Sequence, residues 1–205
     1  MRVGLRAHEK RRHQEGRFLM TSPLNGDEIE IRVSFYVSVC GEKIVMHILG
    51  KKNDFCKLSH IGMGGNMLDR FREEVLDIPN GIVIFTGPTN AGKTTTLCAA
   101  INHCNNSNTC IVTAEDPVDY TLEGVTQCSI EPKIGRTYDD PLKHMLNQDP
   151  DTVILGEIGD KLSADHAIQA ALTGHKVMTT FHTEDSVSSL LRLMHMEREI
   201  DYRAH

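Results

Sequence analysis

Gly81-Ile-Val-Ile-Phe-Thr86 followed by Gly87-Pro-Thr-Asn-Ala-Gly92-Lys93-Thr94 decides the fold. A short apolar run of strand length leads into G-x-x-x-x-G-K-[ST], matched at every fixed position. Thr94-Thr-Thr-Leu-Cys-Ala-Ala-Ile101 then reads as a helix. From average residue frequencies, a chance match in a chain this long arises on the order of once in a hundred. The strand–loop–helix context makes it rarer still. Such a loop wraps phosphates with its backbone N–H groups, and the helix N-terminus adds about half a positive charge. Lys93 is placed to reach the β and γ phosphates, and Thr94 to offer its hydroxyl to Mg²⁺. Asn90 stands where the loop calls for a left-handed residue, which Asn tolerates better than most.

Working outward, short apolar strands alternate with helices. Strands are expected at 81–86, 109–113, 125–130, 152–155 and 175–181. Helices are expected at 92–103, 138–147, 163–173 and 186–197, with Ser163 capping the third and Gly174 ending it. That alternation predicts a largely parallel α/β sheet covered on both faces. Ile111-Val-Thr-Ala runs into Glu115, Asp116 and Pro117, and Thr152-Val-Ile-Leu-Gly156 runs into Glu157. Ligands of a parallel sheet sit at the carboxyl ends of its strands. The three carboxylates and His182 therefore share an edge with the phosphate loop. They are candidates for a Mg²⁺ partner, a water-orienting carboxylate and a γ-phosphate sensor.

Upstream of this core the pattern is β-rich. Residues 1 to about 14 read as a helix. Strands are expected from Arg17, over Ile29–Val33, over Val37–Gly41 and over Lys43–Leu49, with a turn at Pro23-Leu-Asn-Gly26. Residues 1–50 are thus expected to be the end of a smaller β-rich domain, 51–65 a linker, and 66–205 the main domain, cut short at its C-terminus. Asn66–Leu76 reads as an amphipathic helix with Met67, Leu68, Phe71, Val75 and Leu76 on one side.

Composition narrows the function. The chain has 205 residues, 40% hydrophobic, and 22 basic against 28 acidic side chains give a formal net charge of −6. That balance disfavours a broad nucleic-acid grip, and so does an aromatic fraction of 5% with no Trp. A basic cluster of Arg2, Arg6, Lys10, Arg11, Arg12 and Arg17 reads as a solvated helical face or as a contact with phosphate or an acidic partner. No apolar run approaches membrane-spanning length, and the first residues carry no export signal. The six cysteines lack any Cys-x-x-Cys pair and are expected to be reduced and mostly buried. His175 and His182, seven apart on one expected strand, face opposite sides and are not expected to share a metal.

Four ordered stretches resemble the secretion ATPase superfamily, the traffic ATPases of type IV pili and type II secretion. They are the Walker A region 87–96, Glu115-Asp-Pro-Val-Asp-Tyr120 as the Asp box, Gln148-Asp-Pro-Asp151 through Asp160 as the Walker B region, and Ala170–His175 through His182-Thr183 as the His box. Gln14-Glu-Gly-Arg17, Ile31-Arg-Val-Ser34 and Gly41-Glu-Lys-Ile-Val45 resemble the end of the family's smaller domain. The resemblance implies a RecA-like P-loop core that binds ATP through Gly87, Pro88, Thr89, Asn90, Ala91, Gly92, Lys93, Thr94 and Thr95. It implies Mg²⁺ held by Thr94 and Glu157. Glu115 would orient the attacking water, Glu157 would act around Mg²⁺ and the nucleophile, and Arg17 and Arg32 would approach the phosphates as two domains close. His182 would belong to the catalytic set. The implied assembly is a homohexameric ring, cytoplasmic and peripheral at the inner membrane through a platform protein, with no nucleic acid bound and no direct insertion. It would power pilus assembly, pilus retraction or secretion. The departures are Asn90 and Ala91 in the loop, and His47, Asn147 and Gly159 where the family has arginines. Those three replacements leave open a second reading, a catalytically weak nucleotide-dependent switch of the same machinery.

Overall fold

The computed structural model describes residues 14–49 except 24, 25 and 27, then 56–130 except 119, then 141 and 144–198. It divides into two units, residues 1–52 and 53–205.

In the first unit, β1 (Gln14–Thr21), β2 (Glu28–Ser38) and β3 (Gly41–Leu49) form an antiparallel meander in that order. Ile31 and Val33 alternate with Arg32 along β2 and are buried, as a half-buried strand requires. The expected strands 29–33 and 37–41 differ from what is observed. Ser34, Phe35 and Tyr36 stay paired with β3 across the gap, so one 11-residue strand runs to Ser38 and the turn falls at Val39-Cys40. The Ser38 hydroxyl closes that turn by donating to the Gly41 carbonyl at 2.7 Å. The expected N-terminal helix lies outside the described residues up to Gln14, which opens β1.

The second unit is built on β4 (Gly81–Gly87), β5 (Ile111–Glu115), β6 (Thr126–Ser129), β7 (Thr152–Leu155) and β8 (Lys176–His182). All four neighbouring pairs are parallel, in the order β4-β8-β7-β5-β6. This is the parallel α/β sheet the alternation predicts. The helices that lie wholly within the described residues are α1 (Gly65–Phe71), α2 (Lys93–Cys104), α3 (Lys161–Leu172) and α4 (Ser186–Arg198). Successive strand residues feed opposite faces. Ile111, Ile154 and Met178 pack with Leu97 and Ile101 of α2 and with Leu68. Val112, Val153, Leu155 and Val177 pack with Ala164, Ala167 and Ala170 of α3. Both faces are covered, and for that reason these strands read as unbroken apolar runs.

Several local expectations need correction. β5 starts two residues later than expected, because Cys110 is occupied by a backbone N–H bond to the Asp151 carboxylate at 2.7 Å. The shift carries Glu115 into the strand. Asp160, not Ser163, caps α3: its carboxylate accepts from the Ser163 backbone at 2.8 Å, and the Ser163 hydroxyl completes a capping box. Gly174 follows the helix with φ +97°, in the left-handed conformation expected of it. The 66–76 helix divides into α1 and a wider turn over Arg72–Leu76. Met67 lies one 100° step from Leu68 and is exposed. Of the expected 138–147 helix, residues 141 and 144–147 are helical, and 138–140, 142 and 143 lie outside the described residues.

The cysteine expectation is overturned. Cys56 and Cys98 form a disulfide with Cα atoms 5.1 Å apart, inside the range a disulfide spans. The pairing ties α2 to the stretch expected as a linker, where Cys56 and Leu58 are buried. Of the four free cysteines none is fully buried, and Cys40 and Cys110 are exposed. Buried Lys176 donates to the carbonyls of Val75 at 3.2 Å, Leu76, and Ile78 at 2.8 Å, neutralising the end of the Arg72–Leu76 turn. Burial pushes its pKa below the usual lysine value.

Candidate functional site

The carboxyl edge of the sheet opens into a cavity of about 440 Å³. It is lined by the loop after β4, the start of α2, Glu115 and Asp116 at the end of β5, Gly156 and Glu157 after β7, and Thr180 and His182 of β8. Lys93, Glu115, Glu157 and His182 therefore surround one space, as the strand-end argument requires.

The loop geometry follows from its residues. Asn90 has φ 64°, the left-handed conformation anticipated for it, and Gly92 has φ 91° at the position before α2. With Gly there, no side chain caps the helix, so its first-turn N–H groups are left for an anion. The Lys93 ammonium donates to the carbonyls of Gly87 and Pro88, each at 2.9 Å, and lies 3.1 Å from His182 Nδ1. The opposite ring nitrogen of His182 is 3.4 Å from Glu157 Oε2. Lys93, His182 and Glu157 thus form a chain of polar contacts along one wall. Thr89, Asn90, Gly92, Thr94 and Thr95 line the cavity beside Lys93, and Ala91 packs against Gly87.

Glu115 sits across from this wall. Its Oε1 accepts from the Thr113 hydroxyl at 2.6 Å and from the Gln127 amide at 3.0 Å. Gly156 lets β7 end close to it: a Cβ there would lie 3.1 Å from Glu115 Cα. Any side chain at 156 would push the Glu157 segment away from Glu115. Thr180 holds that segment too, donating to the Gly156 carbonyl at 2.7 Å. From α4, the Arg192 guanidinium donates to the His182 carbonyl at 3.0 Å and stacks 5.0 Å over the Phe181 ring. Asp185, whose carboxylate accepts from the Ser188 backbone at 2.7 Å, starts α4. Those bonds hold its pKa below the usual carboxylate value.

Arg17 and Arg32 lie in the first unit. They are direct cross-strand partners on β1 and β2 and so share a face, with His47 opposite Arg32 on β3. Arg32 Nη2 is 4.0 Å from Glu15 Oε2. His175 precedes β8 and bonds within its own turn, its Nδ1 3.1 Å from the Thr173 hydroxyl. Gly159 is exposed, with open space where a Cβ would stand, so an arginine would fit there.

Sequence reading missed Thr113, Gln127, Thr180 and Arg192. Thr113 was accessible, being two residues before Glu115 and so on the same strand face. Gln127 was not, because its relation to Glu115 depends on β6 lying beside β5.

The donors at this edge suit a phosphate chain with a hard cation. Thr94, Glu115, Asp116 and Glu157 present oxygen ligands, the kind Mg²⁺ takes together with substrate phosphates. Among the described residues, no group of three or more His, Cys, Asp or Glu side chains could hold a metal ion without such help.

The family model described as "Type II/IV secretion system protein" matches residues 3–201. Type II secretion system protein E of Xanthomonas campestris is 40% identical over 194 residues, covering 95% of this chain and 34% of the relative. Type II secretion system ATPase E of Vibrio cholerae is 40% identical over 188 residues, covering 92% and 37%. The type IV pilus assembly ATPase PilB of Myxococcus xanthus is likewise 40% identical over 188 residues, covering 92% and 33%. The chain thus spans about a third of the length of the curated relatives it matches. Among solved structures, the Legionella pneumophila ATPase DotB superposes with TM-score 0.72 at 25% identity, over 90% of this chain and 52% of that one. The pilus retraction motor PilT with bound ADP superposes with TM-score 0.69 at 24% identity, over 89% and 51%, and shares the fold.

Proposed function

Because the chain belongs to the type II/IV secretion system protein family, we propose that it is the ATP-hydrolysing part of a motor subunit. The motor would power type IV pilus assembly or retraction, or type II protein secretion. The observation that carries this reading is the meeting of Lys93, Glu115, Glu157 and His182 around one cavity at the sheet's carboxyl edge. ATP would lie with its phosphates on the loop 87–95. Mg²⁺, held by Thr94 and Glu157 with the phosphate oxygens, would draw charge from the β and γ phosphates. Lys93 would bind the γ-phosphate. Glu115 would hold the attacking water, and His182, bridging Lys93 and Glu157, would register the loss of the phosphate. Arg17 and Arg32 would add positive charge from the smaller domain.

The working assembly would be a ring of copies of this chain, most economically a homohexamer. Acting at the cytoplasmic face of the inner membrane, it would push on a platform protein. Among the described residues no helix is long and apolar enough to cross a membrane. The test is phosphate release by the full-length, ring-forming protein with ATP and Mg²⁺. Continuous release is expected. ATP binding with no release above background would replace the motor with a nucleotide-dependent switch, a reading the absent arginines at 47, 147 and 159 favour.

A further inference from the structure

We infer that Gln127 is a positioning residue for Glu115: its side-chain amide, locked in one orientation by the backbone of the preceding turn, fixes where the Glu115 carboxylate points. The inference deepens the proposed function and rests on the reading of Glu115 as the carboxylate that holds the attacking water.

Three bonds make the case. The Leu122 backbone N–H donates to Gln127 Oε1 at 2.7 Å. Gln127 Nε2 donates to the Tyr120 carbonyl at 2.9 Å and to Glu115 Oε1 at 3.0 Å. An N–H can be met only by an acceptor and a carbonyl only by a donor. Leu122 and Tyr120 therefore decide which end of the amide is oxygen and which is nitrogen. The second N–H is left directed at Glu115, with no alternative flip. Thr113, fully buried beneath, donates its hydroxyl to the same oxygen at 2.6 Å. The parallel register sets Thr113 beside Gln127 on neighbouring strands, so both donors come from one rung of the sheet.

Two donors on one carboxylate oxygen restrict its rotation. Gln127 also ties Glu115 to the 120–122 segment, so a shift of that segment would turn the carboxylate.

The experiment measures steady-state ATP turnover of the full-length protein carrying Gln127→Leu, alone and combined with Glu115→Gln. Gln127→Leu is expected to lower kcat about tenfold, the worth of one hydrogen bond to a charged group, with KM for ATP unchanged. On the Glu115→Gln background the same change should cost nothing further, because the two residues act as a unit. An equal loss on both backgrounds, or a raised KM with kcat unchanged, overturns the positioning role. If Glu115→Gln alone leaves turnover intact, it is the reading of Glu115 that fails. Should Gln127→Leu not fold, Gln127→Met keeps an unbranched side chain of similar length while removing the donated N–H. It should lower kcat with KM unchanged and add nothing on the Glu115→Gln background, and failure to do so again overturns the inference.

Discussion

Lys93→Ala abolishes nucleotide binding: titration calorimetry with ATP and Mg²⁺ should give saturating heat for the unaltered protein and none for the variant. The ammonium is already directed to the phosphate edge, held by two loop carbonyls at 2.9 Å each. A bound triphosphate would exchange those weak neutral acceptors for anionic oxygens. Charge-assisted bonds of that kind are worth about 1.5–3 kcal/mol each. Losing two of them weakens binding by about 10²- to 10⁴-fold, so at ATP concentrations that saturate the unaltered protein the variant stays essentially empty. Lys93 is half-exposed and packs into neither core cluster, so the variant should melt where the unaltered protein does. Unchanged ATP affinity would remove the basis for placing phosphates on this loop.

The second large effect separates chemistry from binding. Glu115→Gln should lower phosphate release by about 10²- to 10⁴-fold, the usual contribution of a positioned base, while ATP affinity is kept. The amide has nearly the volume of the carboxylate and can still accept from Thr113. It cannot take a proton from water. Release at the original rate would show that the water is held elsewhere. A matching loss of ATP affinity would mean that Glu115 supports the nucleotide rather than the reaction.

Much of this site was legible in the chain because it is local. The loop needs a left-handed residue and a glycine before the helix, and Asn90 and Gly92 stand at those places in the sequence and in the structure. Glu115, Glu157 and His182 could be placed on one edge without knowing the strand order, since every strand of a parallel sheet ends at the same side. What the sequence hid depends on who lies next to whom. The disulfide joins cysteines 42 residues apart with no spacing motif. Gln127 acquires meaning only once β6 is set beside β5. The cap of α3 was misplaced for a subtler reason: Asp160 and Ser163 are both good capping residues, and their reciprocal bonds decide which stands first.

A crystal structure of the full-length protein with Mg²⁺ and a non-hydrolysable ATP analogue is the most direct test of the central claim. The γ-phosphate should lie within hydrogen-bond reach of Lys93, with Glu115 facing it across the cavity and Glu157 and His182 at its side. A nucleotide seated away from these four side chains, or phosphates bound with Glu115 and Glu157 turned out of the cavity, would contradict it.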